Sequence, residues 1–119
     1  MLKEKISAFI TQVQSIEGVA ACALVSRDGI IAGKKFDRDL NEPWFGALSA
    51  TILASAESVG SIIHAKTLGS VTIRAGDACI IIMGAGENFL IAAITSDNTD
   101  PARILSPMLA VAQKIREEM

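Results

Sequence analysis

The stretch Val19-Ala20-Ala21-Cys22-Ala23-Leu24-Val25 restricts the fold more than any other part of the chain. It has no polar side chain, so neither pleat face of a strand built from it suits water, and a layer must cover each side of the sheet. Ser26-Arg27-Asp28-Gly29 follows at once. Asp-Gly between two apolar runs favours a tight hairpin, because both central residues of such a turn need positive φ. Ile30 to Lys34 is then the returning strand.

The covering layers are legible as helices. Leu2, Ile6, Phe9, Ile10, Val13 and Ile16 recur at spacings of three and four, which predicts an amphipathic helix over residues 2 to 15, ended by Gly18. Asn41 is placed to cap a second helix, with Glu42 and Pro43 suited to its first turn, running to about His64. One stripe of this helix, Trp44, Leu48, Ile52, Val59 and Ile63, suits a core. A flank of small residues, Ala47, Ala50, Ala54, Ser58 and Ser61, suits a close neighbour.

Val71-Thr72-Ile73-Arg74 alternates apolar and polar residues as an edge strand does, and is a candidate for pairing with another chain. Ala75-Gly76-Asp77 turns it into Ala78 to Met83, and Gly84-Ala85-Gly86-Glu87-Asn88 turns that into Phe89 to Thr95. Three strands joined by short glycine turns predict an antiparallel meander. Pro101 to Glu118 carries a third apolar helical stripe with Asp100 placed to cap. Pro107 removes a backbone donor, so the helix either kinks there or begins at a Ser106 cap with Pro107 as its first residue, and a short turn leading into the main helix is the favoured expectation. The order is helix, two strands, helix, three strands, helix, and residues 1–119 read as one domain with a five-stranded sheet between helices.

Composition narrows the function. The 119 residues are 50% apolar and 20% charged, which predicts a folded chain with apolar surface to spare. The formal charge of −2, with acids and bases interspersed, offers no basic stripe for a nucleic-acid backbone. No uninterrupted apolar run approaches the ~20 residues that span a bilayer, and the charged start, Met1-Leu2-Lys3-Glu4-Lys5-Ile6, is unlike a secretory signal. A cytoplasmic protein without integral membrane association is the expectation. Cys22 and Cys79 lie inside apolar runs and read as small buried hydrophobes, with no CxxC to suggest a metal or a redox pair.

No catalytic constellation emerges. His64, the one histidine, sits near a helix end and has no orienting partner in sequence. Ser26 and Asp28 are explained by the turn they form. Gly84-Ala85-Gly86 precedes a strand and not a helix, so it cannot cradle a phosphate at a helix N-terminus. Asp97, Asn98 and Asp100 lack the spacing of a calcium loop. No catalytic residue, cofactor or metal is expected, and Arg27, Lys34, Lys35, Arg38, Lys66 and Arg74 read as a solvated rim.

The segment Ile16-Glu17-Gly18-Val19, continuing through Leu24-Val25-Ser26-Arg27-Asp28-Gly29-Ile30-Ile31, resembles the opening of the Roadblock family, the dynein light-chain and bacterial polarity-regulator group. The long Ala/Ser-rich helix, the strand with Val71-Thr72-Ile73, the Gly-Ala-Gly-Glu-Asn turn and the closing helix follow in that family's order. The resemblance implies an α/β fold of three α/β/α layers, profilin-like, with a five-stranded antiparallel sheet. It also implies homodimers or heterodimers through the long helix and the edge strand. The expected interface is Ala47, Ala50, Ala54, Ser58, Ser61, Val71, Thr72, Ile73 and Arg74. The implied role is a platform for a small Ras-like GTPase, acting as regulator or scaffold; a light-chain subunit of a larger assembly and a small-molecule-sensing α/β domain are the rival readings. Pro107 and the bulky Pro43-Trp44-Phe45 depart from the family's pattern.

Overall fold

The computed structural model describes every residue, Met1–Met119. The elements follow in the order α1 (Leu2–Gln14), β1 (Val19–Ser26), β2 (Ile31–Lys35), α2 (Glu42–Ile62), β3 (Val71–Ala75), β4 (Ala78–Ala85), β5 (Phe89–Thr95) and α3 (Ala102–Glu118). The five strands form one sheet in the order β2-β1-β5-β4-β3, and every neighbouring pair is antiparallel. β2 and β3 are therefore the two edges. The apolar-on-both-faces strand β1 lies inside the sheet, next to β5, as its composition demands.

Each face of the sheet has its own core. On one, α1 and α3 pack Phe9, Val13, Ile104, Met108 and Ile115 over Leu24, Ile81 and Ile91. On the other, α2 covers Val25, Ile82, Leu90 and Ala92, and Leu53 is its one large fully buried side chain. The three-layer architecture expected from the sequence is the one observed. Cys22 and Cys79 are both buried, Cys22 within the core under α1 and α3 and Cys79 with its sulfur 3.9 Å from the Arg74 guanidinium.

Glycine lets α2 approach the first hairpin closely. Gly29 has φ +92°, and a Cβ there would lie 3.0 Å from the Cα of Ala47. A Cβ on Gly46 would lie 2.6 Å from the carbonyl oxygen of Gly29, which places the turn directly against the helix backbone. The N-terminus of α2 is set by Asn41, whose side-chain oxygen accepts a hydrogen bond from the Trp44 amide at 3.1 Å. At the other end the amides of His64 and Ala65 bond the carbonyls of Ser61 and Gly60, a Schellman arrangement. His64 takes the left-handed position, φ 62°, that glycine usually holds.

Two expectations are corrected. First, α3 is one helix through Pro107, and no separate turn ends at Ser106. The proline ring faces solvent six residues into the helix, and the start is capped by Asp100, whose side chain accepts from the Ala102 amide at 3.0 Å. Second, neither expected face of α2 is the buried one. Of the stripe expected in the core, Trp44, Leu48, Val59 and Ile63 are solvent-exposed and Ile52 is half-buried; of the small flank, Ala50 alone is buried, beside Gly46, Ser49 and Leu53. Small residues were needed on the inner side because the helix backbone lies close to the sheet and the hairpin turn. α2 is also long and apolar enough, by length and composition alone, to cross a membrane, although hydroxyl residues interrupt its apolar sequence. Here its inner face is docked on the sheet.

Candidate functional site

The outer face of α2 is the most conspicuous chemical anomaly of the protomer. Trp44 is 62% exposed, Leu48 50%, Val59 64%, Ile62 76% and Ile63 75%. Full burial of one such side chain is worth about 1.5–3 kcal/mol, so this face carries several kcal/mol of unused hydrophobic stabilisation. Scattered apolar residues on a surface are ordinary, but these follow one helix from end to end. Between them stand Thr51, Ser55 and Ser58, small side chains that let another backbone approach.

β3 supplies a second unsatisfied element. Its register on β4 pairs Val71 with Ile82, Thr72 with Ile81, Ile73 with Ile80 and Arg74 with Cys79, leaving its other edge without a strand. Val71 and Ile73 are half-buried beneath α2, whereas Thr72 and Arg74 point to the opposite face and are exposed. The edge carries no proline or bulge to discourage pairing. At the other edge, β2 bears Lys34 and Lys35, charges that do discourage it.

The residues expected at an interface are placed unequally. Ala47, Ala54, Ser58 and Ser61 are exposed on α2 and Thr72 and Arg74 are exposed on β3. Ala50 is buried against the sheet, so a charge there would disturb the packing of α2 before it could disturb a neighbour. The large exposed residues Trp44, Leu48, Val59 and Ile62 belong to the available surface, and the sequence reading had assigned the first three to the core. The signal that would have found them is the glycine at position 46 beside Ser49 and Ala50, which marks the side of closest approach.

Charged groups hold α2 in place. Arg27 donates to the Phe89 carbonyl at 3.1 Å, to the Gly86 carbonyl at 2.7 Å and to Glu57 on α2 at 2.8 Å. It is therefore a structural clamp between the β1–β2 turn, the β4–β5 turn and α2, and not a solvated rim residue. Lys34 pairs with Glu42 in the first turn of α2. The Arg38 guanidinium hydrogen-bonded to Asp37 holds that carboxyl below the usual carboxylate range, and burial pushes the Cys22 thiol up to about 11. No group of three or more histidine, cysteine or acidic residues is arranged to hold a metal ion.

The long helix and the edge strand of this α/β/α unit both present unpaired surface. The Roadblock/LC7 domain family matches residues 6–95, from α1 to the end of β5, and the chain belongs to that family. A comparison with curated proteins finds no match. Among solved structures the chain is similar to "MglB with tetrameric arrangement", at TM-score 0.84 and 14% identity, covering 97% of this chain and 88% of that one. MglB of Myxococcus xanthus is similar at TM-score 0.84 and 11% identity, over 95% and 93% of the two chains. Profilin of Schizosaccharomyces pombe is similar at TM-score 0.70 and 16% identity, over 91% and 94%. At these identities the likeness is one of fold, and it places the chain in the profilin-like Roadblock architecture.

Proposed function

We propose that the protein is a non-catalytic, cytoplasmic, dimeric platform that binds and regulates a small Ras-like GTPase. The observation that carries this reading is the exposed apolar face of α2, Trp44 to Ile62, lying on the same unit as the free edge of β3. Two copies related by a two-fold axis would satisfy both elements at once, pairing edge backbone groups and burying helix surface. The GTPase comes from the Roadblock family resemblance, and the tetrameric arrangement of the similar MglB supports self-assembly of this architecture.

Such a platform regulates without entering a nucleotide site. A ligand shifts a conformational equilibrium only by its differential affinity for the two states, so the dimer would favour whichever switch conformation fits its surface better. The rival reading of a small-molecule sensor has less support, because the larger clefts are open to solvent and enclose no pocket. A purely structural light-chain role differs from the platform only in being indifferent to nucleotide.

The test is binding of small Ras-like GTPases, each loaded with GDP or with a non-hydrolysable GTP analogue, to wild type and to Val59→Glu, by calorimetry. The expected result is binding that depends on the nucleotide and is weakened at least tenfold by the variant. Equal binding in both nucleotide states would favour the structural role, and no binding to any loaded GTPase would remove the platform reading.

A further inference from the structure

Beside the C-terminal half of α2 lies a cleft of about 930 Å³ whose walls are the small residues Ala50 and Ala54 on one side and the β4–β5 turn at Gly86 to Asn88 on the other. A second depression of about 190 Å³ shares Arg27, Lys66, Thr67 and Arg116 with it and extends towards Gly60 and Leu68. Together they form one elongated groove, built from a single protomer. Three cationic side chains from three different parts of the chain, the β1–β2 turn, the α2–β3 loop and α3, converge on it.

These cations differ in how they are held. Arg27 is fixed by the Phe89 and Gly86 carbonyls and by Glu57, which uses three of the five N–H donors of a guanidinium and leaves two. Arg116 is held close by packing, since a Cβ on Gly86 would lie 3.3 Å from the Cα of Arg116. Lys66 and Arg116 have no acidic partner within ion-pair distance. Glu57 is engaged by Arg27, and the one other acidic side chain lining the groove is Glu87. In a chain of net charge −2, this gathers unpaired positive charge along an extended channel.

We propose that this groove docks an acidic, extended segment of a partner protein, with carboxylates meeting Lys66, Arg116 and the free donors of Arg27. The groove is open along its length, so it would not dehydrate a single small ion. Several carboxylates spaced along a chain could engage the three cations together, and the Asn88 and Thr67 side chains offer hydrogen-bonding groups to the segment's backbone. Arginine is suited to this role because its planar fork matches a carboxylate. The proposal does not depend on the GTPase reading, since the groove is complete in one copy of the chain and its three cations lie outside α2, although Ala54 and Ser61 on its wall border the expected interface.

The probe is a fluorescein-labelled hexaglutamate peptide, followed by fluorescence anisotropy at low salt, with amide resonances of Thr67, Gly86 and Asn88 recorded in parallel. The expected result is saturable binding, shifts centred on those three amides, and at least tenfold weaker affinity in Lys66→Glu/Arg116→Glu. The charge-matched Lys3→Glu/Lys5→Glu variant on α1 should bind as wild type does. Circular dichroism of both variants establishes that they are folded. No binding by wild type, equal weakening in the α1 variant, or shifts located elsewhere would each overturn the assignment. Displacement of the peptide by equimolar inorganic phosphate would also overturn it, because the site would then recognise a small anion and not a segment.

Discussion

Alanine substitutions at two glycines of α2, Gly46 and Gly60, should change stability in opposite directions. Alanine is favoured over glycine in a helix interior by about 1 kcal/mol, so propensity alone makes both variants more stable. At Gly60 the added Cβ would meet the Ala65 side chain at 3.9 Å, an ordinary contact, and the gain of up to ~1 kcal/mol should be realised. At Gly46 the Cβ would lie 2.6 Å from the Gly29 carbonyl oxygen and 3.1 Å from the Ile31 side chain. The first obstacle is backbone in a turn whose own glycine has φ +92° and is pressed against Ala47, so it cannot yield as a side chain would. Overpacking of this kind costs about 1–3 kcal/mol, giving a net loss of up to ~2 kcal/mol and a spread between the variants of about 1–3 kcal/mol. Urea unfolding at one protomer concentration, with the slope checked for constancy, measures both. Stabilisation of Gly46→Ala equal to that of Gly60→Ala would refute the close docking of α2 on the first hairpin.

Other consequences follow from the same geometry. Arg27→Ala should destabilise by about 2 kcal/mol, because hydrogen bonds from a charged group to the Phe89 and Gly86 carbonyls are lost, whereas Glu57→Ala should cost about 0.5 kcal/mol as a partly exposed ion pair. Equal losses in urea unfolding would show that the ion pair, and not the carbonyl contacts, is what matters. His64→Gly should stabilise by about 1 kcal/mol, since glycine adopts the left-handed φ of 62° without penalty, and a lower thermal midpoint would contradict that account. Burial raises the Cys22 thiol from 9.0 to about 11, so the unfolded chain ionises first. Its contribution is fully present below pH ~9 and is lost as pH rises through about 11, amounting to roughly 2–3 kcal/mol. Cys22→Ala should flatten stability over that interval, and an unchanged pH profile would remove Cys22 as the cause.

Much of the architecture was legible because local signals agreed. The apolar run of β1, the Asp28-Gly29 turn, the Asn41 cap and the glycine turns of the meander each have a local physical cause, and the elements they predict are present within a few residues, although the first turn takes positive φ at Gly29 alone and not at Asp28 as expected. What sequence periodicity could not supply was the orientation of α2. A large stripe and a small flank are both compatible with burial, and the choice was made by a tertiary fact, the contact between Gly46 and the carbonyl of Gly29. The same limitation hid Arg27, which reads as a surface turn residue until the β4–β5 turn is brought beside it from the far end of the chain. Pro107 was misjudged for a simpler reason: on an exposed side of α3, near its start, a missing donor is tolerable.

The central claim is that the outer face of α2 exists to be covered by another protein, first by a second copy of this chain. Sedimentation equilibrium of wild type, Val59→Glu and Leu48→Glu over a wide concentration range measures this directly. The account predicts a wild type of twice the protomer mass, with both variants folded and monomeric, because each places a carboxylate where an apolar residue is already exposed in the protomer. A wild type that stays monomeric, or variants that remain dimeric with unchanged affinity, would contradict it.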